Sequence, residues 1–465
     1  MNIPNKIIFQ CLGIFIFIWF QITEPPENLS KNGWTIFGLM IVMAIWWITE
    51  TLPLSVTALF PLIIAPIFTD IHIADIAKPY ANQIIFLLLG GFIIGLGFQN
   101  SGLHIRMAMM ILAKIGSNKR NIFGGFIICC AFLSMWISNT ATCLLMLPIL
   151  LTVIKKINKN GDVFYTKIMI LAVAYSSSIG GMSTLIGTAP NAIMAGFLLE
   201  NYELNIGFVE WMFFSLPLVF LLLFLFWFFS SIFITKENFT KSIFKKNYKK
   251  LGIFSPQEKL TLAIMIVTIL LWIFRRIVNN YLDLNLSDTG IAILGAFLFF
   301  FLPYGKKKYI LNKDWYLDIP WNILILFGGG LSLASLIQSS GLAAWISSSL
   351  TYLGSFDVIV IILLIAFLIS FLTEVTSNTA TTLLFLPIVA SFASINNFNV
   401  ILLTLPVVLT ASCAFMMPIA TPPNAIAFST NKIEIPFMIK VGVFMNITAV
   451  IISSFWILIA SKTLY

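Results

Sequence analysis

Two apolar stretches, residues 122–154 and 358–390, are each about 33 residues long, and each carries a Ser-Asn-Thr triplet at its middle. A membrane crossing needs about 20 residues, so either stretch is too long for one span. With polar segments at both ends, each reads as two half-length helices that enter and leave the bilayer on the same side. Backbone that turns at such depth is satisfied only where it is buried in protein or lines a cavity. Two re-entrant hairpins are therefore expected, with tips that meet inside the protein. The second hairpin copies the first: Ser138-Asn139-Thr140-Ala141-Thr142 recurs as Ser377-Asn378-Thr379-Ala380-Thr381, and Leu147-Pro148-Ile149 as Leu386-Pro387-Ile388, at a constant offset of 239. The same offset relates Gly90-Gly91 to Gly329-Gly330 and Ser101-Gly102-Leu103 to Ser340-Gly341-Leu342. Downstream, Thr188-Ala189-Pro190-Asn191 returns as Thr421-Pro422-Pro423-Asn424 at an offset of 233.

The rest of the chain is as apolar as the hairpins. Of its 465 residues 59% are hydrophobic and 10% charged, with a mean hydropathy of +1.00, about half the charge of a soluble protein. Apolar runs near 7–23, 34–50, 52–69, 83–103, 166–200, 211–235, 259–277, 287–303, 319–340, 400–428 and 437–460 give eleven crossings. The fold class is thus an all-α polytopic membrane protein of two inverted repeats, about eleven transmembrane helices and two re-entrant hairpins. Each repeat holds five crossings, and an odd number inverts the second copy relative to the first. Residues 7–23 follow Lys6, as a secretory signal would, but Glu24-Pro25-Pro26-Glu27 offers no small-residue cleavage site, so the segment is kept as the first span.

Lys and Arg concentrate in cytoplasmic connections. With the N-terminus inside, 22 of them, including Arg106, Lys119, Lys155, Lys159, seven lysines between 236 and 259, Lys306 and Lys307, fall on the inner side and 5 on the outer. This predicts a multi-pass inner-membrane protein with a cytoplasmic N-terminus and a periplasmic C-terminus. The net charge of +9 then reflects this bias and calls for no nucleic acid partner, only the lipid bilayer. Cys11, Cys129, Cys130, Cys143 and Cys413 lie in apolar runs and read as packing residues, and His72 and His104 lie far from the motifs. No nucleophile, metal cluster or cofactor motif is present, so the chain is not read as an enzyme. Trp46, Trp47, Trp315 and Trp321 read as interfacial anchors, Glu50 as a solvated span end, and the paired glycines as sites of close helix packing.

A helix that stops inside the membrane presents free N–H groups and the positive end of its dipole to an anion, while free carbonyls favour a cation. Ser-Asn-Thr adds hydroxyl and amide groups that donate to a carboxylate or, through oxygen, coordinate a hard cation. Pro190 and the Pro422-Pro423 pair force the broken spans to unwind, which frees carbonyls at Gly187 and Ala420. Two facing triplets suit a small dianion with two anionic ends, such as a dicarboxylate. No Lys or Arg occurs in 121–154, 168–235 or 314–431, so the charge that offsets a buried dianion must arrive with it. Sodium suits these oxygens, and no His or carboxylate pair offers a proton relay. Asn191 and Asn424 either hold the unwound backbone or stand near the ions. Glu374, the one carboxylate inside a hairpin, replaces Met135 of the first repeat and takes a structural or cation-balancing role, since it would repel a dianion.

The doubled Ser-Asn-Thr, the paired Thr-x-Pro-Asn segments, and Trp46-Trp47-Ile48-Thr49-Glu50 followed by Leu52-Pro53 and Thr57-Ala58-Leu59-Phe60-Pro61 resemble the divalent anion:sodium symporter family over nearly the whole chain. The resemblance implies sodium-coupled symport of C4-dicarboxylates by an elevator mechanism in a homodimer. Exchange of dicarboxylates, or sodium-coupled sulfate or citrate transport, is the alternative within the fold. It implies one sodium among Ser134, Ser138, Asn139 and Gly187, and a second among Thr373, Thr376, Asn378 and Ala420. The family has a small residue where Thr376 stands, so a backbone carbonyl would serve there. Substrate carboxylates would meet Asn139, Thr140, Asn378 and Thr379, with Ser138 and Ser377 of the same triplets, Thr421 and Pro422 close by, and Thr188 and Pro190 as counterparts. Residues 1–121 and 259–357 would form the scaffold and 122–235 and 358–465 the transport segments, joined by the lysine-rich connection 236–258. No cofactor is implied beyond sodium as the coupling ion.

Overall fold

Polar residues at the ends of the apolar runs start the helices. Ser30, Asn82, Asn118, Ser138, Asp162, Ser287, Asp357, Ser377 and Asn399 each accept a backbone N–H of the helix that follows, and Ser255 with Glu258 closes a capping box. Each such cap contributes about 1 kcal/mol. The computed structural model describes residues 3–115, 118–158, 161–235, 237, 242–305 and 308–464. Lys159, Lys236, Lys241, Lys306 and Lys307 of the basic count lie outside them.

The first span is α1 (Ile3–Ile22). The first repeat comprises α2 (Lys31–Thr49), α3 (Leu54–Thr57), α4 (Phe60–Phe68), α5 (Ile73–Ala77), α6 (Gln83–Asn100), α7 (Leu103–Lys114), α8 (Lys119–Ser134), α9 (Asn139–Ile157), α10 (Val163–Gly181), α11 (Ala189–Tyr202) and α12 (Phe208–Ile232). A basic helix, α13 (Ser242–Lys250), leads to the second repeat. There α14 (Pro256–Leu282), α15 (Asp288–Phe301), α16 (Trp321–Ser339), α17 (Leu342–Ser349), α18 (Val358–Leu372), α19 (Asn378–Ile395), α20 (Val400–Ala411), α21 (Pro422–Phe428) and α22 (Ile435–Ala460) follow in matching order. The offset of 239 holds in detail: α8 and α18, then α9 and α19, start at equivalent residues, and Gly102 and Gly341 turn the chain with φ of 75° and 77°.

Eleven crossings result when α3–α4, α10–α11 and α20–α21 are each taken as one interrupted span. The hairpin arms α8–α9 and α18–α19 differ from expectation in length. They have 16, 19, 15 and 18 residues, about 22–29 Å at 1.5 Å per residue, rather than half a span. Helix continues past the apolar runs into their polar ends, as at Lys155 and Lys156 in the last turn of α9. Trp46 and Trp47 are also corrected. They are 5% and 0% exposed, and their indole N–H groups donate to Phe9 O and Leu54 O at 3.1 Å. They pack the first repeat internally, whereas Trp321 is exposed. The glycine pairs do mark close approach: a Cβ on Gly90 would lie 2.8 Å from Ala292 C, and one on Gly329 would lie 1.9 Å from Ala58 O.

The interlock of the two repeats positions the site. Arms α8 and α9 both pack on α10, and α18 has the same partner as α19, namely α20. The second half of each broken span crosses to the other repeat, α11 against α19 and α20, and α21 against α9 and α10. At the lysine-rich end, buried Arg106 of α7 donates through Nε to Glu258 Oε1 at 2.7 Å and through its terminal nitrogens to the carbonyls of Leu251, Gly252 and Ile253.

Candidate functional site

The crossing brings both hairpin tips to one cavity of about 670 Å³. Ser138, Asn139 and Thr140 line it from one tip, and Ser377, Asn378 and Thr379 from the other. Gly187, Thr188 and Pro190 of the first broken span, with Ala420, Thr421 and Pro422 of the second, complete that wall. Leu88, Phe92 and Leu326 of α6 and α16 face them.

Each triplet starts a helix. Ser138 Oγ accepts from Ala141 N at 3.2 Å, and Ser377 Oγ from Ala380 N at 3.1 Å. The first-turn amides of α9 and α19, which include those of Asn139, Thr140, Asn378 and Thr379, have no carbonyl one turn earlier to bond. Two positive helix ends therefore open on the same cavity. Pro190 and Pro422 sit in the first turn of α11 and α21, where a missing N–H costs nothing.

Behind each tip lies a set of oxygens. Ser134 Oγ lies 2.6 Å from the Asn139 amide, and Thr373 Oγ1, its counterpart, shares its one hydrogen between Asn378 Oδ1 at 2.7 Å and Ala411 O at 3.1 Å. The Asn139 amide faces the Gly187 and Ser177 carbonyls. With its nitrogen turned to them it donates at 3.3 and 3.1 Å, and to Ser134 Oγ at 2.6 Å. Turned the other way, the amide would set its oxygen beside Ser134 Oγ and the two carbonyls, a grouping that is repulsive unless a cation lies among them. That donor set, neutral and all oxygen, fits sodium. Thr376 is brought to the second set, but its hydroxyl is engaged with Leu372 O and Thr381 Oγ1, which leaves its carbonyl as the available ligand.

Asn191 and Asn424 stand behind the breaks, fully buried. Asn191 Nδ2 donates to the carbonyls of Met182 and Thr184 at 3.1 and 2.8 Å, and Asn424 Nδ2 to those of Ala414 and Met417 at 3.0 and 3.1 Å. The nitrogens hold the unwound backbone, while both Oδ1 atoms are buried without a hydrogen-bond partner. Glu374 lies outside the cavity wall and 1% exposed.

Among the described residues no Lys, Arg or His lines the cavity. Its one charged wall residue is Glu50, which caps α2 in a left-handed conformation with φ 47° and stands with Asn322 at the mouth. Sequence reasoning placed Glu50 in solvent at a span end. Its place in the Trp46–Glu50 motif was a signal for the site, whereas nothing in the sequence marks Asn322. The arrangement can hold a small molecule with two anionic ends and, behind each tip, a hard cation.

Comparison with known proteins gives the family and the fold. Residues 5–463 match the family described as sodium:sulfate symporter transmembrane region. The sodium-dependent dicarboxylate transporter SdcS of Staphylococcus saprophyticus is 37% identical, with 96% of this chain and 90% of that protein covered. Its namesake from Staphylococcus aureus is 35% identical over the same shares. Among solved structures, the YdaH transporter of Alcanivorax borkumensis superimposes with a TM-score of 0.57 at 12% identity, covering 97% of both chains. MtrF of Neisseria gonorrhoeae gives 0.60 at 13% identity, covering 98% of this chain and 95% of that one. These two likenesses concern the fold alone.

Proposed function

The chain belongs to the sodium:sulfate symporter family, transporters rather than enzymes, and from that premise we propose that it carries small dianions, C4-dicarboxylates such as succinate, malate and fumarate first among them, together with sodium. The observation that carries this reading is the cavity itself. Two positive helix ends face it, no basic side chain among the described residues lines it, and a carboxylate stands at its mouth. Burying two negative charges there without a partner is prohibitive. The oxygens gathered at Ser134, Asn139, Gly187 and Ser177, with Ser138 at the same tip, and those of Thr373, Thr376, Asn378 and Ala420 would be the places where sodium offsets them. The relatives' dependence on sodium, printed in their names, supports the same coupling. A dicarboxylate exchanger would need a fixed cation in place of a sodium, and the described residues of the wall include none.

Transport is by an elevator. Residues 122–235 and 358–465 move as one body against a scaffold of 1–121 and 259–357, a division supported by the exchange of α11 and α21 between hairpins. The mouth lies at the end where α2 finishes and α16 begins, the lysine-rich end, so this state is open to the cytoplasm. At the opposite end Glu200 accepts from Asn82 at 3.1 Å and lies 3.6 Å from Lys78 Nζ, while Gln338 Nε2 donates to Tyr202 OH at 3.3 Å. These contacts close the outer side. The protein works as a homodimer in the inner membrane, N-terminus in the cytoplasm and C-terminus in the periplasm.

Uptake of labelled succinate into proteoliposomes tests the reading. An inward sodium gradient should drive it, choline should not replace sodium, and Asn139→Ala or Asn378→Ala should each abolish it. Uptake that is indifferent to choline refutes the coupling.

A further inference from the structure

Glu374 is a charged side chain sealed inside the protein at the turn of the second hairpin. All its hydrogen-bond partners are donors. Oε1 accepts from Phe415 N at 2.7 Å, Met416 N at 2.9 Å and Asn446 Nδ2 at 2.7 Å. Oε2 accepts from Met416 N at 3.1 Å and Met417 N at 2.8 Å. Three successive backbone N–H groups form a concavity that binds anions, and here the protein's own carboxylate fills it. Both oxygens are met by N–H donors alone, the partners that a carboxylate accepts from.

What the carboxylate joins gives it a role. On its own strand of chain it sits between Thr373 and Thr376, in the tip that also carries Asn378. The amides it holds belong to the unwound stretch 412–421, which includes Ala420. That stretch is fixed from its other faces: Tyr175 OH donates to Phe415 O at 2.6 Å, Asn424 Nδ2 to Met417 O at 3.1 Å, and Ala420 N to Met417 O at 3.2 Å. Glu374 thus ties the two pieces of backbone that supply the second oxygen set through three amides, beside the single bond from Thr373 Oγ1 to Ala411 O just before the break.

The first repeat makes the same tie differently. Met135 occupies the equivalent position, and the links from tip to break are neutral ones, Thr184 Oγ1 to Met135 O at 2.9 Å and the Asn139 amide nitrogen to Gly187 O at 3.3 Å. The first break is otherwise braced at its carbonyls, by Trp211 Nε1 on Met182 O and Ser215 Oγ on Ser183 O, both at 2.9 Å. One half-site is held by neutral donors on carbonyls, the other by an anion on amides.

We propose that Glu374 is a positioning residue that assembles the second cation site by binding hairpin tip 373–378 to the unwound segment 415–420, and that the two cation sites are consequently unequal in what holds them. The inference rests on the sodium-coupled reading above. Charge-assisted bonds are roughly twice as strong as neutral ones, so loss of this tie should be felt more than loss of its counterpart.

The test uses full-length protein in nanodiscs, with melting temperature followed through a sodium titration without substrate, and sodium-dependent succinate uptake in proteoliposomes. Glu374→Gln should raise the sodium midpoint at least tenfold in both assays. Glu374→Asp, which keeps the charge on a shorter arm, should fall between it and the wild type, and Thr184→Val should shift the midpoint less than Glu374→Gln. A carboxylate that only stabilises the fold would lower the melting temperature equally at every sodium concentration, and an unmoved midpoint overturns the proposal. Equal shifts for Thr184→Val and Glu374→Gln overturn the inequality of the sites. If Glu374→Gln does not fold, Asn446→Leu, which removes one donor and keeps the carboxylate, must raise the midpoint in the same direction. A wild type whose melting ignores sodium defeats the coupled reading itself, whereas a responsive wild type with unmoved variants defeats only the role of Glu374.

Discussion

Replacing Thr373 by Val removes one hydroxyl and little else. The side chain is fully buried and Val matches its shape, so no cavity opens. What is lost is the pair of bonds from Oγ1 to Asn378 Oδ1 at 2.7 Å and Ala411 O at 3.1 Å. A buried acceptor left without a partner costs about 1–3 kcal/mol. If the same hydroxyl also ligates the second sodium, that loss falls on the bound state and the sodium midpoint rises roughly 5- to 150-fold. The molecule supplies its own control. Ser134 stands at the equivalent place in the first repeat, its Oγ 2.6 Å from the Asn139 amide. Thr373→Ser therefore gives the second half-site the chemistry of the first and should stay within about threefold of the wild-type midpoint, since less than 1 kcal/mol is at stake. Sodium titration of succinate uptake in proteoliposomes, paired with sodium-dependent melting of purified protein, separates the outcomes. A Thr373→Val protein with a normal midpoint, or a Thr373→Ser protein as impaired as the Val one, refutes the assignment.

Gly181→Ala should abolish uptake, because its Cβ would lie 2.3 Å from Asn139 Oδ1 and push that amide out of the first oxygen set; retained uptake in proteoliposomes would show that Asn139 can move without loss. Arg106→Met leaves Glu258 and three carbonyls unpaired at the lysine-rich end, a loss of about 3–5 kcal/mol for a buried pair broken on one side, seen as a lower melting temperature with the sodium midpoint unchanged. Glu50→Gln removes the carboxylate at the cavity mouth and should lower KM for the dianion by about twofold at low ionic strength, an effect that disappears in high salt if it is electrostatic.

The doubled Ser-Asn-Thr made the hairpins legible because a polar triplet in the middle of an apolar run has no cheap place in a bilayer, and its repetition at a fixed offset removes coincidence. The same offset carried the reading from Gly102 to Gly341, which share a left-handed turn. Side-chain roles that depend on three-dimensional partners were not legible. Trp46 and Trp47 have the composition of membrane-interface anchors, yet their indoles face the carbonyls of Phe9 and Leu54, and only packing decides between the two. Asn322 reaches the cavity mouth because α16 begins there, a consequence of helix placement with no motif attached.

Glu374 lies between these cases. Its position in an apolar run marks it as consequential, and the repulsion it would exert on a dianion keeps it off the substrate wall. What the sequence lacked was the other partner. Amides are invisible in a list of side chains, and Phe415, Met416 and Met417 look like ordinary lipid-facing or core residues. Their N–H groups are free only because the span is broken after Ala411, and the break is announced eleven residues later by Pro422-Pro423. A carboxylate in a membrane segment therefore reads best against unwound backbone elsewhere in the chain. The repeat sharpens this, because the first break, whose carbonyls take their bonds from Trp211, Ser215 and Asn191, has Met135 where the second has Glu374, and the asymmetry in sequence is an asymmetry in how each half-site is held.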